Sequence, residues 1–252
     1  MKNIILPFVK PVTLFSVFLI IMATSCKQDE YYMDGGKSDP VFNGNMLQYL
    51  NSNAKFDTIA QIIKLAEMED IFKKEKITFF CPTDEVVRRT IGDVRSGGLN
   101  SFLFRRGKDT IKTLSDVDPA IWRKYLSRYI YKGAFTLKDY PQLDFTLKPV
   151  HPGAFYYSLN NDLANIGVVF NSVNGVKYTG YRQLTISFLP DPSNPDRFIP
   201  AAVATSDIQP SNGVVHVLAI ALGTNIGEVL TSTEANLFGF NVEFMMEVVL
   251  SK

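Results

Sequence analysis

Cysteine, histidine and tryptophan are scarce in this chain: two, two and one among 252 residues. Two cysteines are too few for a disulfide framework or a cysteine-built zinc cluster. His151 and His216 stand far apart, so no histidine cluster offers a metal site or a general base beside a nucleophile. The Gly-x-Ser-x-Gly elbow of serine hydrolases is absent. Charge of one sign is also missing. Lys and Arg total 26 against 25 Asp and Glu, a net of +1, and such a balance gives no field for nucleic acid. Nor is there an apolar run approaching the roughly 20 residues that a bilayer-spanning helix needs. Disorder is excluded by composition, with 46% hydrophobic and 20% charged residues.

What is there begins with a leader. Lys2 and Lys10 precede an apolar stretch from Pro11 to Met22. Small residues Ala23-Thr24-Ser25 then run into Cys26. This is the layout of a secretory signal with its cleavage site. The small residues before a cysteine resemble a lipobox, which implies that Cys26 becomes the acylated first residue of the mature protein. The competing reading is an ordinary cleaved signal with Cys26 as a bystander. Acyl chains, at ~0.8 kcal/mol per buried CH₂, hold a protein stably on a membrane. Asp29 and Glu30, just after the cysteine, resemble a surface-export signal of Gram-negative cells; a plain polar tether is the alternative. The expected location is therefore the outer membrane of a Gram-negative envelope. If Cys26 carries lipid, Cys81 has no partner, and its place in the apolar run ITFFC makes it a buried, inert thiol.

The expected organisation is a signal peptide over 1–25, a tether over 26–41, one domain over 42–222 and a C-terminal extension over 223–252. Phe56, Ile59, Ile63 and Ala66 form one stripe of a helix. Ile77 to Cys81 reads as a buried strand stopped by Pro82. Thr83 is positioned to cap a following helix, with Asp84 and Glu85 in its first turn, where the helix dipole favours negative charge. Asp118-Pro119 opens a helix with Ile121, Trp122, Tyr125, Leu126 and Tyr129 on its apolar face, expected to run to Gly133. Residues 134–222 read mainly as strands, including FTL and DFTL at 135–137 and 144–147. Asn212-Gly213 is read as a hairpin turn that uses positive φ. Beyond residue 222, Phe238, Phe240, Val242 and Phe244 alternate as in a strand, while Met245 to Leu250 fits a helix equally well. Helices early and strands late make the fold class α+β.

ITFFCPTDEVV resembles the first signature of the fasciclin domain, and SDIQPSNGVVHVLAIAL the second, in which an Asn-Gly-Val-Val-His-Val run leads an apolar strand. LSRYIYKGAFTLKDY falls where the family has its Tyr-His segment. The resemblance covers about residues 42–222. It implies a wedge of two packed β-sheets with helices mainly from the N-terminal half, and structural roles for Thr83, Asp84, Asp207, Asn212, Gly213 and His216. The chain departs from the pattern in three ways: Tyr129 is followed by Ile130 rather than histidine, Cys81 replaces a small residue, and the segment 134–200 is long. The resemblance also implies a non-enzymatic module for adhesion or for binding protein or carbohydrate.

The remaining candidates each have a plainer explanation. His216 alternates with Val214 and Leu218 and reads as a satisfied core histidine, whereas His151 in KPVHPG reads as exposed. DPSNPD at 191–196 places oxygen ligands as in a calcium loop but lacks the turn glycine, so a turn between strands is expected instead. The basic stretch 88–112 suits an anionic glycan or headgroup, or simply a solvated face. Trp122 and the tyrosines at 156, 157, 178 and 181 suit sugar stacking; for Trp122 core packing is expected, and one of the consecutive Tyr156 and Tyr157 faces outward. No cofactor, metal or catalytic residue is expected, and the partners are the membrane and an unidentified protein or glycan. An accessory subunit of an outer-membrane nutrient importer, docking through the apolar tail, is the alternative. A hydrolase with scattered carboxylates is the third reading.

Overall fold

The computed structural model describes residues 40–95, 97–194, 197–220 and 238–252, and the backbone alone at 225–226 and 229–230. The leader, Cys26 and residues 27–39 of the tether lie outside the described residues, while Val41 at the tether's end already belongs to the sheet. Residues 40–252 form one compact unit.

The chain enters through β1 (Val41–Phe42) and three short helices, α1 (Met46–Asn51), α2 (Asp57–Leu65) and α3 (Glu69–Lys74). Asn45 caps α1 with a reciprocal bond to Gln48. The stripe read on α2 is buried: Phe56, Ile59, Ile62 and Ile63 are at most 1% exposed. Next come β2 (Ile77–Cys81), α4 (Asp84–Ile91) and α5 (Leu99–Arg105). α6 (Pro119–Leu126) is capped by Asp118, whose carboxylate accepts from the Ala120 N–H at 2.8 Å. Its expected apolar face is buried, but the helix is shorter than expected. A 3₁₀ turn at 127–129 follows, and Ile130–Lys132 form β3, antiparallel to β2. Ile130 and Tyr131 gain more from ladder bonds and burial on both faces than from another helical turn.

Strands then dominate: β4 (Ala154–Tyr157), β5 (Leu163–Phe170), β6 (Arg182–Phe188), β7 (Ile199–Pro210) and β8 (Gly213–Leu218), with a short β9–β10 pair at 225–226 and 229–230. The segments FTL and DFTL are not strands. The first enters a 3₁₀ turn at Leu137–Asp139, closed by Thr136 and Asp139, and the second is a turn around Asp144. The main sheet runs β3-β2-β8-β7-β6-β5-β4. β7 belongs to both halves. Its first residues pair with β6, its later ones with β8, and its last two with β1. Register shifts between Val203, Thr205 and Ile208 let this strand bend from one half to the other. Just after β4, Leu159 donates to the Ile130 carbonyl at 2.8 Å, bringing the two ends of the strand path together.

The C-terminal residues correct the strand-like reading of the tail. α7 (Val242–Ser251) is a helix capped by Asn241, and Phe238, Phe240 and Phe244 are buried in the main core rather than in an extension beyond it. Phe244 stacks on Trp122 at 5.1 Å, and Phe238 and Phe240 flank Tyr129 at 5.2 and 5.3 Å. The Tyr129 hydroxyl accepts from the Gly239 and Phe240 N–H groups. Aromatic pairs of this kind add roughly 0.5–1.5 kcal/mol each beyond burial. Among the described residues, no helix is long and apolar enough to cross a membrane.

Candidate functional site

Most of the motif residues hold elements together; Thr83 is the exception. Thr83 stands at the N-cap position of α4, but its hydroxyl caps nothing and is buried without a partner, contrary to expectation. Asp84 reaches across instead. Its Oδ1 accepts from the Thr58 and Ile59 N–H groups at 2.9 and 3.3 Å, capping α2, a helix without a cap of its own. Glu85 stays on α4 and takes Arg88 and Arg89 at 2.6 and 2.7 Å; these bonds, with Arg88 first, hold its pKa down at about 2. Two of the arginines read as a basic patch are therefore already bound.

His216 is fully buried on β8. Its Nε2 faces the Phe135 carbonyl at 3.0 Å, and its Nδ1 accepts from the Asp207 backbone N–H at 3.2 Å. That pairing fits the neutral ring with its proton on Nε2. Burial lowers the pKa to about 4, against smaller opposing effects of the Phe135 bond and the Asp207 charge. Asp207 occupies a left-handed conformation (φ 66°) in the bulged part of β7, and its Oδ1 accepts from the Leu137 N–H at 2.7 Å. Thr78 completes the arrangement by donating to the Gly133 carbonyl and accepting from the Phe135 N–H. Together these groups fasten residues 133–137 to the sheet.

Asn212 is a three-way clamp. Its Oδ1 accepts from the Met46 N–H at 2.8 Å, and its Nδ2 donates to the Phe72 and Glu75 carbonyls, both at 3.0 Å. Neither Asn212 nor Gly213 has positive φ, contrary to the turn expected there. Gly213 serves close approach: a Cβ on it would lie 1.9 Å from the Ile77 oxygen of the parallel neighbour β2.

Other expected candidates are dispersed. Cys81 is a free, fully buried thiol whose pKa burial pushes well up, and the Asp84 charge adds to this. Trp122 is buried and donates to the Leu114 carbonyl. His151 is half-buried, edge-on to Tyr178. Asp191 closes a turn on Ser193, and Asp196 lies outside the described residues. Among the described residues, no three acidic, histidine or cysteine side chains converge on a metal-sized site. Tyr156 turns inward against Phe135 and Tyr140, whereas Tyr157 points out and is 68% exposed. Among the described residues are open clefts of about 420 and 520 Å³. The first is lined by α2, α4 and residues 111–114, the second by residues of α3 and α6 with Leu159 and Asn160.

One feature escaped the reading of the sequence. Phe145, Phe155 and Phe198 form a chain of ring contacts at 6.2–6.3 Å, with Phe145 and Phe198 half-buried over Leu143, Val169 and Ala202, Phe155 exposed, and Lys148 4.0 Å over Phe198. The strand alternation of AFYY does place Phe155 on the same side as Tyr157, but nothing local signals that Phe145 and Phe198 join them from distant loops. Nothing assembled at any of these places pairs a nucleophile with a base. The arrangement braces the fold.

A family model for the fasciclin domain matches residues 54–223. No curated protein matches the chain. Among solved structures, a FAS1 domain pair from the insect cell adhesion molecule fasciclin I is similar at 17% identity and a TM-score of 0.44. The match covers 69% of this chain and 49% of that one, so this chain spans about half its length.

Proposed function

The chain belongs to the fasciclin family, and on that premise we propose that it is an envelope lipoprotein acting as a non-enzymatic adhesion or binding module for protein or carbohydrate. Fasciclin domains are associated with cell adhesion in homologues. The observation that carries the reading is the fate of the motif side chains. Asp84, Asp207, Asn212 and His216 are all engaged in internal hydrogen bonds between elements, so the residues that mark the family build a scaffold. Recognition is left to the surface, where Phe155, Tyr157 and Tyr181 offer exposed rings for stacking on sugars or on apolar protein side chains. The leader ending at Cys26 supplies the address. Held on acyl chains, weak contacts gain from high local concentration.

The importer-subunit reading rested on the apolar tail. Phe238, Phe240 and Phe244 of that tail lie in the core, whereas Val242, Met246 and Leu250 stay exposed, so docking on an envelope protein would use the outer face of the C-terminal helix.

Mass spectrometry of the N-terminal peptide from the native host should find Cys26 acylated, and protease shaving of intact cells should release the domain if it faces outward. On a glycan and protein array, Phe155→Ser with Tyr157→Ser should lose at least tenfold in signal while the thermal midpoint stays within about 2 °C, as expected of exposed sites. An unmodified, freely soluble mature chain would sink the anchor, and turnover of any glycan or ester would sink the non-enzymatic part.

A further inference from the structure

The outer face of α7 is apolar where a surface helix should be polar. Val242, Met246 and Leu250 follow one another at intervals of four and all point to solvent, with Leu250 78% exposed. Phe104 of α5, the helix packed beside α7, is 63% exposed. The two acids on α7 are ion-paired, with Arg128 shared between Glu243 and Asp162. Glu247 is bound by Lys124 at 2.6 Å, and Glu243 by Arg128 at 2.7 Å. Lys108 donates to the Val249 carbonyl at 2.7 Å, which brings the basic segment Arg105-Arg106-Gly107-Lys108 to the Leu250 end of the stripe. An apolar stripe with spare positive charge at its end is complementary to a bilayer surface carrying anionic headgroups, where apolar side chains sink to the acyl boundary and cations stay among the phosphates.

We propose that this α5–α7 face rests on the membrane that holds the protein, as a second contact beside the acyl anchor. The proposal rests on acylation of Cys26. Residues 26–39 reach at most about 48 Å when extended, roughly the diameter of a domain of this size. A chain of that length can span the domain, and surface chemistry selects this face of it. Docking fixes the orientation: the domain lies down on α7.

The test uses the acylated protein purified from its native envelope, carrying Leu250→Cys labelled with an environment-sensitive fluorophore. The same label at Tyr181→Cys serves as reference, and Cys81 is buried and does not react. Each protein is reconstituted into phosphatidylcholine vesicles with brominated acyl chains, with and without phosphatidylglycerol. The label at 250 should be quenched at least threefold more than the label at 181, and the difference should grow with phosphatidylglycerol. Arg105→Gln and Arg106→Gln should each lower the docked-to-undocked ratio by roughly fivefold. Phe104→Ser, at an exposed position that folding does not need, should lower it as well. Equal quenching at 250 and 181 overturns the proposal. So does a label at 250 that is shielded in native envelopes but open in protein-free vesicles, because the face then belongs to a protein partner. The mass of the N-terminal peptide reports the anchor separately. If Cys26 proves unmodified, the labelled protein is added to preformed vesicles, and the same contrast between 250 and 181 upholds or overturns docking without it.

Discussion

Of the three Asn-Gly pairs in the chain, those at 174–175 and 212–213 lie between antiparallel neighbours of the sheet, and these two do opposite work. Asn174 and Gly175 have φ of 51° and 78°, the positive pair that a type I′ turn requires, and the Val173 and Val176 backbones bond to each other across them. A Cβ on Gly175 would meet nothing within 4 Å. At 212–213 the backbone is ordinary, the asparagine side chain ties three segments together, and the glycine is needed because another strand lies against it. The same dipeptide is a conformational device at the rim and a packing device in the centre. The rim connection leaves Val176 and Tyr181 exposed; the central one is fastened on every side.

The contrast breaks most visibly at Gly213. Gly213→Ala forces a methyl group into the Ile77 carbonyl and must push β2 and β8 apart, for about 3 kcal/mol or more. Urea unfolding should show a large fall in midpoint, or no folded protein at all. An alanine tolerated within 1 kcal/mol would mean that the two strands are further apart than described.

His216, three residues further along β8, sharpens the comparison through pH. Its pKa falls from the ordinary 6.5 to about 4 in the folded protein because burial penalises the charged ring. Between those values the unfolded chain binds a proton that the folded one does not, so stability drops as pH falls from 6.5 to 4 and the loss levels off below 4. The full loss amounts to about 3 kcal/mol. Urea unfolding at pH 7 and pH 4.5 captures most of it, and in His216→Gln the part of the pH dependence between 6.5 and 4.5 should vanish. An NMR titration in which the His216 ring protonates near 6.5 would contradict the buried neutral pairing.

Asn212→Ala leaves the Met46 N–H and the Phe72 and Glu75 carbonyls without their partner, at a cost of about 2 kcal/mol. Asn212→Asp is the more discriminating change. It keeps the acceptor for Met46 but sets a carboxylate against two carbonyl oxygens, so it should be no more stable than alanine at pH 7. Equal stability of Asn212→Asp and wild type would show that the amide donors contribute nothing.

Much of this was legible in the residues. The buried strand at 77–81, the Asp118-Pro119 helix start and the α+β order follow from local pattern, because burial and capping impose local spacing. What was not legible depends on partners far along the chain. Thr83 looked like a cap, and the acceptor at Asp84 caps a helix that begins 27 residues earlier, at Asp57. Phe238, Phe240 and Phe244 alternate as in a strand, but they are spaced to meet Trp122, Tyr125 and Tyr129, and no local period records that. Asn-Gly was the hardest case, since its commonest use is the turn and nothing adjacent to 212–213 announces β2. The aromatic row is assembled from three separate segments and has no local signature either.

The smallest expected effect lies at the rim, and it decides whether the contrast is one of packing alone. Gly175→Ala meets no atom, so its whole cost is the left-handed backbone, about 1 kcal/mol. Gly175→Asn keeps a residue that tolerates that conformation and should recover about half of it. Urea midpoints for the two variants, set beside Gly213→Ala, separate strain from collision. If Gly175→Ala cost as much as Gly213→Ala, the outer hairpin would be as tightly held as the inner one. The 171–181 connection would then belong to the scaffold and not to the surface left free for recognition.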